Sequence, residues 1–141
     1  MRVMVDSNVL IDVLSRDPVW SAWSIQALED AANRATLLIN PIIYAEVSIA
    51  FARIEDLDAA LSSTDFLREP LPFAAGFLAG KAFLRYRKLG GLRTSPLPDF
   101  LIGAHAAVAG HTLLTRDAAR YRTYFPRLVV IAPGADWQQS G

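Results

Sequence analysis

The sequence contains no cysteine, which excludes a disulfide framework and any thiolate metal site. It has only two histidines, His105 and His111, and they lack the spacing that would put two imidazoles on one helix face. Both therefore read as non-ligands. Net charge is also missing: 14 basic residues face 14 acidic ones, which argues against coating nucleic acid by bulk electrostatics. No apolar run reaches the ~20 residues of a membrane helix. Strand-like residues begin at Arg2, leaving no room for a leader peptide. The expectation is a cytoplasmic protein with no membrane partner. With 52% hydrophobic and 20% charged residues, the chain has too little charge for disorder and enough apolar content for a core. A single domain over residues 1–141 is expected, with its core at about 2–131 and a short C-terminal tail.

What the sequence does have is concentrated at its start. Arg2-Val3-Met4-Val5 leads directly into Asp6, a polar pair follows, and Val9, Leu10, Val13 and Leu14 recur at helical spacing. A short apolar run that does not alternate suits a parallel strand covered on both faces. Asp6 then stands at the carboxyl end of a strand and the start of a helix, the edge at which open α/β sheets bind ligands.

Downstream, Asp17-Pro18 and Asn40-Pro41 are helix-start signals. They predict helices from Pro18 to Asn33 and from Pro41 to about Arg53. Strands are predicted at Thr36–Ile39, Thr112–Thr115 and Leu128–Ile131, with a connector or short edge strand over Leu67–Pro72. Further helices are predicted at about Glu55–Asp65, Phe73–Leu89, Asp99–Ala109 and Asp117–Tyr124. A glycine-bounded loop follows at Thr94–Pro98. Strands separated by helices give a parallel α/β sheet.

Four acids stand out. Asp6, Asp99 and Asp117 lie at or near predicted helix starts, where capping or the helix dipole explains each one taken singly. Glu46 has no such explanation. It lies about two turns into its helix among Ile42, Ile43, Ile49 and Ala50, and a buried carboxylate there needs a partner. That partner is either a cation shared with the other acids or a buried arginine such as Arg53 or Arg116. An oxygen-only cluster suits Mg²⁺ or Mn²⁺. Four acids gathered around metal would leave a mildly basic surface with one acidic hole. Ser7, Asn8 and Thr115 could orient carboxylates, or serve as ordinary turn and cap residues.

Val5-Asp6-Ser7-Asn8-Val9-Leu10-Ile11-Asp12, Asn40-Pro41 leading to Glu46, Leu97 to Ala106 around Asp99, and Leu113-Leu114-Thr115-Arg116-Asp117 together resemble the PIN domain. In detail they resemble the VapC-type toxins of bacterial and archaeal toxin–antitoxin pairs. The resemblance runs from about Arg2 to Ile131 in the family's order and spacing, with no departure at the four acids. It implies a PIN-like three-layer α/β sandwich whose central parallel sheet of four to five strands is flanked by helices. It further implies that Asp6, Glu46, Asp99 and Asp117 are the catalytic and metal-binding acids, with Ser7, Asn8 and Thr115 in support. The implied activity is endonucleolytic cleavage of RNA with one or two Mg²⁺ or Mn²⁺ ions. The implied partners are a VapB-like antitoxin laid across the active site and a second copy of the chain, with the Pro18–Asn33 helix as a candidate dimer surface. Arg116, Arg85, Arg87, Lys88 and Arg93 are candidates to hold the RNA backbone; each could equally be a solvated basic residue.

Two other classes compete. A non-catalytic PIN-like module would bind RNA or protein without cutting, and intact acids at all four positions argue against it. A phosphoryl-accepting signalling domain would need an acceptor aspartate after a middle strand and a late lysine. Here Asn40-Pro41 follows Ile39, and no lysine follows Lys88.

Overall fold

The structure, a computed structural model, describes residues 1–93 and 97–134. Five strands form one sheet in the order β3-β2-β1-β4-β5, and every pairing is parallel. They are β1 (Arg2–Val5), β2 (Thr36–Ile39), β3 (Leu67–Arg68), β4 (Thr112–Leu114) and β5 (Val130–Ile131). Seven helices flank the sheet among the described residues: α1 (Ser7–Ser15), α2 (Ser21–Arg34), α3 (Pro41–Ser48), α4 (Ile54–Ala60), α5 (Phe73–Lys88), α6 (Pro98–Ala109) and α7 (Ala119–Tyr124). The expected PIN-like sandwich is thus present, and the Leu67–Pro72 segment supplies its fifth strand, at the β2 edge. The loop expected over Thr94–Pro98 falls partly outside the described residues, as does most of the C-terminal tail.

The central strands are apolar because both faces are covered. Val3, Met4, Val5, Leu38, Leu113 and Leu114 have no accessible surface, and burying each such side chain contributes about 1.5–3 kcal/mol. From β1 the chain moves outward through β2 to β3, whereas β4 continues to β5 on the other side. The connections leaving β1 and β4 therefore diverge, which opens a crevice at their carboxyl ends. Asp6 closes the strand ladder there by donating its N–H to Leu114 O at 2.8 Å.

Helix boundaries depart from the sequence reading by three or more residues in three places, and α7 starts at Ala119 rather than Asp117. Asp17 does not start α2. Its Oδ1 accepts the N–H groups of Val19 and Trp20 at 2.9 and 2.8 Å, which makes a turn, and the helix begins at Ser21. α3 stops at Ser48 rather than near Arg53. There the Ser48 hydroxyl donates back to Ala45 O, and the next N–H groups tighten to i→i−3 bonds at Ala50 and Phe51. α4 stops at Ala60 rather than near Asp65. The Ser62 hydroxyl accepts the Thr64 N–H and its carbonyl accepts those of Asp65 and Phe66, so this polar run turns instead of continuing the helix.

One glycine controls how α7 seats on α6. A Cβ at Gly103 would lie 2.6 Å from the Phe125 ring and 3.0 Å from Tyr121 Cδ1, and both rings are buried. Gly103→Ala is expected to destabilise by about 1–3 kcal/mol through overpacking. Gly80→Ala in α5, where nothing lies within 4 Å, should instead stabilise by about 0.5–1 kcal/mol. Urea unfolding of both variants checks the contrast; two changes of the same sign would contradict this packing.

Candidate active site

Asp6 caps α1 and is 3% exposed. Its carboxylate accepts at both oxygens. Oδ1 takes the Ser7 N–H at 2.8 Å, while Oδ2 takes the hydroxyls of Thr115 and Tyr121, each at 2.8 Å. The capping role and a place in the acid cluster therefore coexist. The Ser7 hydroxyl donates to Glu46 Oε1 at 2.9 Å and lies 3.5 Å from Asp6 Oδ1, so it bridges the two acids. Asn8 Nδ2 donates to Thr115 Oγ1 at 3.1 Å, and Asn8 Oδ1 accepts the Arg116 N–H at 3.2 Å. These bonds tie the first turn of α1 to the end of β4.

Asp99 enters in the first turn of α6 without capping it. Its carboxylate pairs with Arg120 Nη1 at 3.1 Å, at the exposed rim. Burial pushes the Asp6 carboxyl up to about 6, and the Asp99 charge adds to the rise. Burial and the same Asp99 charge raise Glu46 as well. The buried Tyr121 phenol is raised by burial, then by the charges of Asp6 and Asp99, and further by Glu46. Three of the four acids therefore lie within reach of one another's charge, Asp6 and Glu46 being joined through the Ser7 hydroxyl. Asp117 stands apart: its carboxylate is exposed, and it is linked to the group through its backbone N–H, which donates to Thr115 Oγ1 at 3.2 Å.

The environment of Glu46 differs in part from expectation. Ile43 is buried, but Ile49 and Ala50 are exposed because α3 has already ended, so Glu46 is half-buried rather than enclosed. Neither arginine considered as its partner meets it. Arg53 pairs with exposed Glu55 at 3.5 Å, and Arg116 Nε pairs with buried Asp12 at 2.8 Å. Like-charged carboxylates with elevated proton affinity and all-oxygen donors fit a hard divalent cation.

The basic candidates lie close by. Arg85, Arg87 and Lys88 are exposed at the end of α5, and Arg87 Nη1 donates to Arg93 O at 2.7 Å. Their helix end is joined to the acid edge by aromatic packing: Tyr86 meets the Phe100 ring at 5.6 Å, and Phe100 meets Tyr124 at 5.1 Å.

A PIN domain family model matches residues 3–126. The chain belongs to the PIN domain family. Solved structures share the fold. VapBC2 from Rickettsia felis bound to a promoter DNA fragment has a TM-score of 0.71 at 20% identity, covering 94% of this chain and 98% of that one. VapBC-1 from nontypeable Haemophilus influenzae also scores 0.71, at 18% identity over 94% and 98%. A toxin–antitoxin complex from Klebsiella pneumoniae scores 0.68 at 22% identity over 93% and 97%. No curated protein sequence matches the chain.

Within this PIN domain, the sequence reading assigned no role to Tyr121, Arg120 or Asp12. Tyr121 and Arg120 reach the acids from α7, and no local motif marks them. Asp12 carries no sequence signal of its own; its role follows from its contacts, Arg116 Nε and the Ser24 hydroxyl, both at 2.8 Å.

Glu46→Gln is expected to melt at or above the wild-type temperature in chelator. A carboxyl whose folded pKa exceeds its unfolded value favours folding below the unfolded value, and that advantage is lost as pH climbs through the folded value. For Asp6, the rise from 3.8 to about 6 corresponds to about 3 kcal/mol. Glu46 is raised in the same direction by burial and the Asp99 charge, so removing its charge should relieve that cost, and the gain should grow from pH 4 to pH 7. Melting curves across that range check it; a variant well below wild type at pH 7 would show Glu46 to be a structural partner.

Proposed function

We propose that this PIN domain, a single domain over residues 1–141, is a metal-dependent endoribonuclease and the toxin of a cytoplasmic toxin–antitoxin pair. The observation that carries the reading is the convergence of Asp6, Glu46 and Asp99 where β1 and β4 diverge, with no arginine or lysine paired to Asp6 or Glu46 among the described residues. Family membership and the shared fold of the VapBC complexes support it.

Asp6, Glu46 and Asp99 would hold one or two Mg²⁺ or Mn²⁺ ions, with Asp117 joining from the rim. When bound, the cation lowers the pKa of a water and neutralises phosphoryl oxygens. The remaining work falls to the protein. Thr115 and Tyr121 hold the Asp6 carboxylate in one orientation, and Ser7 does the same for Glu46. Arg120 holds Asp99 at the mouth. Arg116, fixed by Asp12 and stacked over Trp20 at 5.5 Å, would meet RNA phosphates together with Arg93, Arg85, Arg87 and Lys88.

A VapB-like antitoxin would run across this edge. An apolar cleft of about 420 Å³ lined by Ile11, Leu14, Ser15, Ala50, Phe51 and Ala60 lies between α1, the segment after α3 and the end of α4, and would take an apolar anchor. A homodimer belongs to the same proposal. α2, its expected surface, turns Ala27 and Ala31 into the core, and the most exposed large apolar side chains of a helix are Phe73 and Phe77 on α5. No helix is long and apolar enough to cross a membrane among the described residues.

Cleavage of a mixed RNA substrate should require Mg²⁺ or Mn²⁺, stop in excess chelator, and fall at least about a hundredfold in Asp6→Asn and Asp99→Asn. Expression of the wild type, and not of Asp6→Asn, should arrest growth. Undiminished cutting in chelator, or by both folded variants, would overturn the mechanism.

A further inference from the structure

Besides the four acids, three ligand-type side chains meet between β3, α6 and β4. Glu69 directly follows β3, His105 lies within α6, and His111 directly precedes β4. The Nε2 atoms of both histidines are 2.8 Å from the same oxygen, Glu69 Oε1. The three candidate ligand atoms lie within 4.8 Å of one another. His105 and His111 are buried and Glu69 is partly open. Nothing in the proposed cleavage reaction uses them.

We propose that Glu69, His105 and His111 form a second metal site, selective for a transition cation of the Zn²⁺ class and separate from the oxygen-only acid cluster. Two imidazole nitrogens and one carboxylate oxygen form a borderline-soft donor set suited to Zn²⁺ or Co²⁺ and poor for Mg²⁺. Three protein ligands leave one coordination position open. Entry is available at Glu69, which lines a cleft of about 300 Å³ with Asn40, Pro41, Tyr44 and Arg68. Arg2, the only cation paired with Glu69 among the described residues, is 3.7 Å away on an exposed side chain that can swing aside.

The proton balance is definite. In the metal-free protein Asn40 Oδ1 caps α3 through the Ile43 N–H at 2.9 Å, so its amide nitrogen faces His105 Nδ1 at 3.1 Å. That orientation leaves the His105 proton on Nε2, donated to Glu69. Ligation through Nε2 moves this proton to Nδ1 and requires the Asn40 amide to turn over so that its oxygen accepts it. The turn also sets the amide NH2 against the buried Ile43 N–H, which weakens binding by about ten- to a hundredfold. His111 likewise moves its Nε2 proton to Nδ1, so that both imidazoles ligate in the neutral form.

The test uses untagged full-length protein carrying Asp6→Asn and Asp99→Asn, so that the acid cluster no longer contributes. Titration with Co²⁺ should give one equivalent bound, with the intense visible absorption of a four-coordinate ion. Zn²⁺ should displace it stoichiometrically, and a large excess of Mg²⁺ should not. Adding Glu69→Gln or His111→Gln, each verified as folded by circular dichroism, should weaken Zn²⁺ by about a hundredfold or more. Failure of the parent double variant to bind Co²⁺ would overturn the proposal without further mutation. So would affinity unchanged by His111→Gln. In either case the three residues are a hydrogen-bonded pin between β3, α6 and β4.

Discussion

A carboxylate sealed at the point where two parallel strands part company is the constraint around which this molecule is arranged. Asp6 is almost wholly removed from water, and an ionised group in that position costs several kcal/mol unless it is compensated. The compensation within the chain is polar rather than ionic: a backbone N–H and the hydroxyls of Thr115 and Tyr121. The Asp99 charge works against ionisation. The fold thus holds a negative centre that its own cations do not neutralise.

The surrounding ion pairs show why this arrangement persists. Arg116 reaches the crevice but is taken by Asp12, which the Ser24 hydroxyl also holds. Arg120 is taken by Asp99 at the rim. Both pairs keep arginines near the site while withholding them from Asp6 and Glu46. They also brace α1 against the end of β4 and α7 against α6, so structural and functional demands are met by the same side chains.

Much of this was legible in the sequence where the physics is local. The run Thr36–Ile39 reads as a strand and is one. Strand ends alone place Asp6 and Asp117 at one sheet edge, yet the Asp117 side chain is exposed and meets the group only through its backbone N–H. Glu46 was singled out correctly as an acid without a cap, but its enclosure was overestimated, because hydrophobic neighbours cannot reveal that a serine hydroxyl ends the helix two residues later. Tyr121 was illegible, since its contact with Asp6 spans 115 residues and depends on the space left by Gly103. The histidines were read as non-ligands from their spacing along the chain. Their meeting at Glu69 is made by the sheet order, which carries no signature in a local window.

The most direct test of the central claim is the ionisation of Asp6 itself. Carbon-13 NMR of the side-chain carboxyls, titrated from pH 3 to pH 8 in chelator and again with Mg²⁺, would read it. A midpoint near 6 without metal, moving clearly downward when Mg²⁺ is added, is the predicted result. An ordinary aspartate midpoint near 4, indifferent to Mg²⁺, would contradict the account.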